Sequence, residues 1–295
     1  MILIIISKWQ QNQYNKKSIG SSQQPSSQPG GVQPGQQDGS DDSQFTSFEK
    51  QLVLAHCMQV NLRDLGKKLV AHQRVITTAM IYFKRFYSQN NIADCDPALL
   101  ASASLLLASK IEECPLNAKT IHQLAMGKET PSSSYDTKDT SKEFPYQLQQ
   151  ILECELYLME QLSFNLTIFH PHTSLIMFLK DSEIEKSLYQ TAWNIVNDSY
   201  FSEVVLKYPP YLVSLTAVYM SCFLDTHDSN KEKARKWFDQ LYVDMKQIGD
   251  ITEDIITMYS MIKKMQDPQQ EYYRTLHSAL GRLIQMRQTY FWGSS

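Results

Sequence analysis

The sequence predicts an all-α fold made of two duplicated helical domains, and three observations carry that prediction. The chain repeats itself: residues 79–109, AMIYFKRFYSQNNIADCDPALLASASLLLAS, lie without a gap on residues 192–222, AWNIVNDSYFSEVVLKYPPYLVSLTAVYMSC. Ala79 falls on Ala192, Tyr87 on Tyr200, Pro97 on Pro210, Leu105 on Val218 and Ala108 on Ser221. Copies about a hundred residues apart are too long for solenoid units and read as whole domains. Apolar residues recur at helical spacing through most of the chain, and no run shows strand alternation between hairpin turns. Each copy also sets a proline before a helix dense in small residues: Ala101, Ala103 and Ala108 in one, Ser214, Ala217 and Ser221 in the other. Small residues on several faces mark a central helix that neighbours approach closely from many sides.

The elements follow in order. Residues 48–65 are amphipathic, and the pattern stops at Gly66, a common helix-stop residue. Residues 73–88 form the aromatic helix of the first copy. Residues 97–112 form its small-residue helix, with Asp96 as N-cap and Pro97 at the first helical position, where the missing N–H costs nothing. A short helix at 119–126 and a long amphipathic one at 144–162 complete the first domain. The second offers 171–180, 184–200, 209–224, 231–241 and 245–265. The tail at 268–291 reads as one more helix, bearing Arg274, Arg282 and Arg287. Two stretches resist folding: residues 18–44 are Ser, Gln, Pro and Gly with almost nothing apolar, and residues 127–142, GKETPSSSYDTKDTSK, are polar. The first separates a head at 1–17 from the globular part. Thr130-Pro131 in the second has the form of a proline-directed phosphorylation site, or of an ordinary turn.

Composition narrows the function. With 295 residues and 42% hydrophobic content, two real cores are affordable. No apolar run approaches the ~18 residues of a membrane span, and the apolar start MILIII is too short and lacks the basic leader of a signal peptide. Five scattered cysteines (Cys57, Cys95, Cys114, Cys154, Cys222) without a CxxC pair read as reduced intracellular thiols. A net charge of −3 argues against direct nucleic-acid binding. The basic pairs Lys67-Lys68 and Lys84-Arg85 read as solvated surface or local contacts. His170-Pro-His172 lacks a third metal ligand at sensible spacing and reads as a capping turn. Cys154 has no evident base and reads as a core thiol. No phosphate-binding loop or kinase signature is present, so neither an enzyme nor a cofactor is expected.

Two charges stand out. Leu148, Ile151, Leu152, Met159 and Leu162 form an apolar stripe, and Glu155 sits within it. A carboxylate on a core-facing stripe is costly unless paired. Lys110 follows thirteen uncharged residues, 97–109, in the most apolar helix. It either snorkels at the helix C-terminus, where a cation suits the dipole, or serves a contact. Together the two suggest a charged contact awaiting a partner.

The runs HQRVITTAMIYFKRFY, DPALLASASLLLASKIEE and KEFPYQLQQILECELYL, followed by FHPHTSL, AWNIVNDSY, YPPYL and ARKWFDQLYVDM, resemble the cyclin family over residues 48–264. They are most similar to the cyclin C subfamily, the cyclins of the Mediator kinase module. The head SKWQQNQY is similar to that subfamily's tryptophan-bearing N-terminal segment, whereas the 18–44 insert and the 127–142 loop depart from the pattern. The resemblance implies two tandem five-helix cyclin folds, at 45–166 and 167–265, a disordered N-terminal insert and a C-terminal helical tail at 266–295. It implies a nuclear, non-catalytic subunit that activates a cyclin-dependent kinase and joins other Mediator kinase-module subunits. The family's kinase-contacting lysine and glutamate fall on Lys110 and Glu155, and Trp9 in the head is a further kinase anchor. Their replacement is expected to weaken kinase association while leaving the free chain's melting nearly unchanged. A second partner surface is expected on Trp193, Asn197 and Asp198, with Glu112 and Tyr259 lining the same groove between the boxes. A different transcriptional cyclin, or a DNA-binding general transcription factor with the same duplicated fold, is the alternative.

Overall fold

The computed structural model describes residues 45–127, 144–225 and 228–292, with side chains up to 287. All regular elements among them are helical. Helix α1 (Ser47–Cys57) runs on through a π-helical stretch, Met58–Asp64, into a last turn, Leu65–Lys68. It is followed by α2 (Gln73–Gln89), α3 (Pro97–Ile111), α4 (Ala118–Ala125) and α5 (Leu148–Gln161). The second set is α6 (Pro171–Asp181), α7 (Tyr189–Ser199) after a 3-10 turn, a short α8 (Val204–Lys207), α9 (Pro210–Leu224), α10 (Asp228–Phe238) and α11 (Met245–Gln266). A final helix, α12, spans Glu271–Trp292.

The repeat survives as geometry. Helices α3 and α9 are both 15 residues long and start on the prolines the alignment superposes. Each is the axis of its bundle: α3 touches α1, α2, α4 and α5, and α9 touches α6, α7, α10 and α11. Their small residues are buried all round, Ala101, Ala103 and Ala108 in α3 and Ser214, Ala217 and Ser221 in α9. The serines do not compromise this, because Ser214 and Ser221 donate to backbone carbonyls.

Several boundaries differ from the sequence reading: the 184–200 segment is α-helical only from Tyr189, after the 3-10 turn Lys186–Leu188, and the 231–241 segment spans Asp228–Phe238. Two further differences have a local chemical cause. Gly66 does not end α1; it lies inside the last turn, where an added Cβ would come within 2.7 Å of Ile76. It permits close packing of α2. The stop is Val70, at φ 52°, with Val70 N–H bonded to Lys67 O and Ala71 N–H to Gly66 O. That is a Schellman ending with a β-branched residue where glycine is usual. Glu113 ends α3 and Ser163 ends α5 by the same pattern, both at positive φ. The other difference is the start of α5. Residues 144–147 are not helical, because Pro145 biases Phe144 away from helix; Gln147 then caps α5 in a reciprocal box with Gln150.

The boxes are joined by buried polar contacts rather than by a flexible linker. Lys84, expected at a solvated or local surface, is buried in α2. Its Nζ donates to Ser202 O at 2.8 Å and pairs with Glu203 at 2.9 Å. Tyr82 donates to Leu166 O and Arg85 to Asn165 O. Helix α12 returns to the first box. Its Arg287 pairs with Asp96, the N-cap of α3, at 2.5 Å, and its Arg282 pairs with Glu49 of the α1 capping box. Leu276, Ala279 and Leu283 of α12 are buried beneath these pairs. No helix among the described residues is long and apolar enough to cross a membrane.

Candidate functional site

Lys110 stands in the last turn of α3 and Glu155 in the middle of α5, and the structure brings them together at 2.7 Å. Part of the charge expected to await a partner is therefore satisfied within the chain. The two ends differ sharply. The Lys110 side chain is 53% exposed and that of Glu155 only 5%. Lys110 holds Oε2, while Oε1 is buried and has no hydrogen-bond partner among the described residues. A buried charged oxygen without a donor is costly. Apolar side chains are exposed on the same helices: Ile111 follows Lys110, and Leu156 and Tyr157 follow Glu155. Phe164, just past α5, is 70% exposed. A half-satisfied carboxylate thus stands beside bare apolar residues on neighbouring helices.

A second constellation lies between the boxes. Glu112, at the C-cap of α3, accepts from Thr78 at 2.6 Å and pairs with Arg74 at 2.5 Å. His170, the residue before α6, reaches Thr78 Oγ1 through Nε2 at 2.9 Å and Tyr200 Oη through Nδ1 at 2.7 Å. One proton arrangement satisfies all of these: Tyr200 donates to Nδ1, Nε2–H donates to Thr78, and Thr78 donates to Glu112. Burial, opposed by the Glu112 charge, lowers the His170 pKa from 6.5 to about 4, consistent with a neutral ring. His172 bonds Asn197 Oδ1 through Nε2 at 2.9 Å and lies 4.8 Å from the Trp193 ring. Burial lowers its pKa too. Both histidines expected in a capping turn are thus spent on contacts between elements. Among the described residues no group of three or more metal-binding side chains exists.

The residues proposed for the groove fall into linked pairs. Trp193 and Asn197 meet His172; Glu112 joins them through His170, whose ring lies 6.2 Å from that of His172. Asp198 turns to α11, where Tyr259 donates to it at 3.0 Å. Burial raises the Asp198 pKa, with Tyr259 and the Arg63 and Lys67 charges opposing. Trp193, Asn197 and Asp198 are half-buried, beside the buried Ala192, Ile195 and Ser199 of the same helix. Trp9 and Thr130 lie outside the described residues. Sequence reasoning missed Thr78, Arg74 and the role of His170; the HPH run was visible, but it read as a capping turn rather than as a contact between the boxes.

Residues 45–167 match the family model "Cyclin, N-terminal domain". Cyclin-C of Rattus norvegicus is 34% identical over 226 residues, 77% of this chain and 79% of the relative. Cyclin-C of Drosophila melanogaster is 36% identical over 215 residues, covering 72% and 76%. Cyclin-C1-1 of Oryza sativa subsp. japonica is 33% identical over 228 residues, covering 77% and 82%. The chain belongs to the cyclin family. As a cyclin it also shares its fold with solved structures. One is in the CAK complex of Chaetomium thermophilum bound to ATP-gamma-S, with a TM-score of 0.58 at 17% identity, covering 83% of this chain and 80% of that one. Another is in the yeast TFIIK (Kin28/Ccl1/Tfb3) complex, at 0.53 and 16%, covering 72% and 86%. The family match spans all of α1 to α5, so both Lys110 and Glu155 lie within the recognised cyclin domain of this cyclin.

Proposed function

We propose that this cyclin is the non-catalytic subunit of a cyclin-dependent kinase in the Mediator kinase module, acting on RNA polymerase II transcription in the nucleus. The observation that carries the reading is the Lys110–Glu155 pair, with one buried carboxylate oxygen unpartnered among exposed apolar residues on the family's kinase-contacting helices. Kinase catalysis requires an ion pair between the ATP-site lysine and the glutamate of the kinase C-helix. This chain supplies a surface that favours the inward position of that helix, by differential binding of the active state. It performs no chemistry of its own.

Similarity to Cyclin-C proteins at 33–37% identity supports the Mediator assignment. The likeness to CAK and TFIIK chains, at 16–17% identity, carries the fold alone. Affinity purification of the tagged chain, with mass spectrometry and a kinase assay on the complex, tests the reading. A cyclin-dependent kinase and further module subunits should co-purify, and removing this chain should abolish kinase activity. Recovery of a kinase without other Mediator subunits would point to a different transcriptional cyclin. Equal activity with and without the chain would overturn the proposal.

A further inference from the structure

The five cysteines are not all scattered in space. Cys95, just before α3, and Cys154, on α5, place their sulfurs 3.8 Å apart, although 59 residues separate them. Cys154 is buried and Cys95 partly exposed. No other cysteine pair shares a hydrogen bond among the described residues; Cys57 is buried in the first core near Tyr87 and Asp96, and Cys222 in the second.

We propose that Cys95 and Cys154 are a peroxide-sensitive pair that closes to a reversible disulfide and thereby shifts α5 at the residue next to Glu155. Hydrogen peroxide oxidises the accessible Cys95 thiol to a sulfenic acid, its O–O bond breaking and one water leaving. The Cys154 sulfur then attacks the sulfenic sulfur, an S–S bond forms, and a second water leaves with the remaining proton. The dithiol loses two electrons and two protons, and the peroxide becomes two waters. A small-molecule dithiol reverses the step.

A disulfide needs its sulfurs about 2.05 Å apart, so the pair must close by well over 1 Å. The Cys95 side is held: its carbonyl accepts from Tyr87 Oη at 2.7 Å, and the next residue, Asp96, both caps α3 and pairs with Arg287. The Cys154 side is one turn of α5, packed inward through buried Ile151 and Leu158 and bearing exposed Leu156 and Tyr157 outward. With both sides held, closure strains the turn of α5 in which Glu155 stands 2.7 Å from Lys110. The shared hydrogen bond with Cys154, then burial, holds the Cys95 thiol pKa well above its usual value. Little thiolate exists at neutral pH, so the pair reacts with sustained oxidant rather than with traces. The effect on kinase binding rests on the function proposed above.

The purified full chain, treated with hydrogen peroxide, alkylated and digested, decides the chemistry. A peptide linking Cys95 to Cys154 is expected, lost on dithiothreitol treatment, with Cys57 and Cys222 still alkylated after unfolding. Unlinked, fully alkylatable Cys95 and Cys154, or separate higher oxides on each, would overturn the pair. The variants Cys95→Ala and Cys154→Ala should each abolish the link; because Cys95 is half-buried in the turn before α3, its variant changes no residue of α5. Hydrogen exchange over 150–158 should rise on oxidation and recover with dithiothreitol. An unchanged profile in the cross-linked protein would refute the shift of α5. Kinase affinity of the oxidised wild type should fall at least tenfold, while Cys95→Ala is unaffected by peroxide. If the reduced chain binds no kinase at all, the proposed function fails, and the mass mapping and exchange still decide the disulfide.

Discussion

At the scale of single residues, the asymmetry between Lys110 and Glu155 changes what substitution should do. Lys110→Ala leaves the buried Glu155 carboxylate without its one donor, whereas Glu155→Gln leaves an exposed ammonium that water solvates. An orphaned buried polar group costs about 1–3 kcal/mol. Lys110→Ala should therefore lower the melting temperature of the free chain by several degrees, and Glu155→Gln by much less. Both should weaken kinase association, by about 2–5 kcal/mol for the truncated buried pair. This departs from the sequence expectation of a nearly unchanged melt, since the sequence did not reveal that the two charges meet. Thermal melts of the two free variants check it; an equal, negligible shift in both would show that Glu155 is hydrated. The buried histidines set a pH dependence. His170 has its pKa depressed from 6.5 to about 4, and that of His172 is also lowered. The unfolded chain binds more protons than the folded one in this window, so stability is full above about 6.5 and falls as pH drops towards 4. Arg74, His172 and Glu112 face His170, and the Tyr200 hydroxyl bonds it. Melting followed from pH 7 to pH 4 should show the fall, and His170→Gln should flatten it.

Elements show why some boundaries were legible and others were not. The start of α3 was readable to the residue, because Asp96-Pro97 states a cap and a first position chemically, and that of α9 to within one residue, since Pro209-Pro210 offers two prolines for the same place. The end of α1 was not, because the glycine that looks like a stop is a packing glycine against Ile76. The actual stop is Val70, a residue with no preference for a left-handed turn. That conformation costs an L-residue roughly 1–2 kcal/mol, and Val70 is 88% exposed, so its side chain gives little back. Val70→Gly should stabilise the chain by about 1 kcal/mol and raise its melting temperature. Gly66→Ala should do the reverse, forcing Ile76 aside in a packed core at a cost of about 1–3 kcal/mol. The tail helix is the larger case. Its arginines were visible in sequence, but their partners Asp96 and Glu49 lie 191 and 233 positions away, a separation that periodicity does not encode. Ending the chain after residue 270 would leave the capping residues Asp96 and Glu49 without their arginines and bare the surface that Leu276, Ala279 and Leu283 cover. Proteolysis and melting of that truncation should report a destabilised first box, although the missing helix follows the second.

For the whole molecule, the question is how two copies of one bundle come to present different surfaces. Duplication supplies α3 and α9 alike, each with an acidic C-cap, Glu112 and Asp225, but Lys110 of α3 has Phe223 as its counterpart in α9. The Lys110–Glu155 pair is thus confined to the first box. Between the boxes, Lys84 holds the carbonyl of Ser202, and the Glu112–Thr78–His170–Tyr200 chain fixes the approach of α6. Such contacts make the inter-box groove rigid, which reduces the entropy a partner must offset on docking. The half-buried Trp193 lies at its edge, its ring tilted against that of His172, with Asn197 bonded to His172 beside it. Buried Tyr259 holds Asp198 from the far side of α7. If this groove takes a further Mediator kinase-module subunit, Trp193→Ala with Asp198→Ala should retain the kinase, whose proposed contacts lie on α3 and α5, and lose that other subunit. A loss of Asp198 frees the Tyr259 hydroxyl in the core, so some destabilisation is expected from that change alone. Trp193→Ala together with the milder Asp198→Asn, which keeps an acceptor for Tyr259, separates the two effects. Quantitative co-precipitation of the module decides between them: return of every subunit at the wild-type ratio in both variants would make the groove a hinge lock between boxes, whereas selective loss of one subunit from a chain that still melts normally would make it a docking surface.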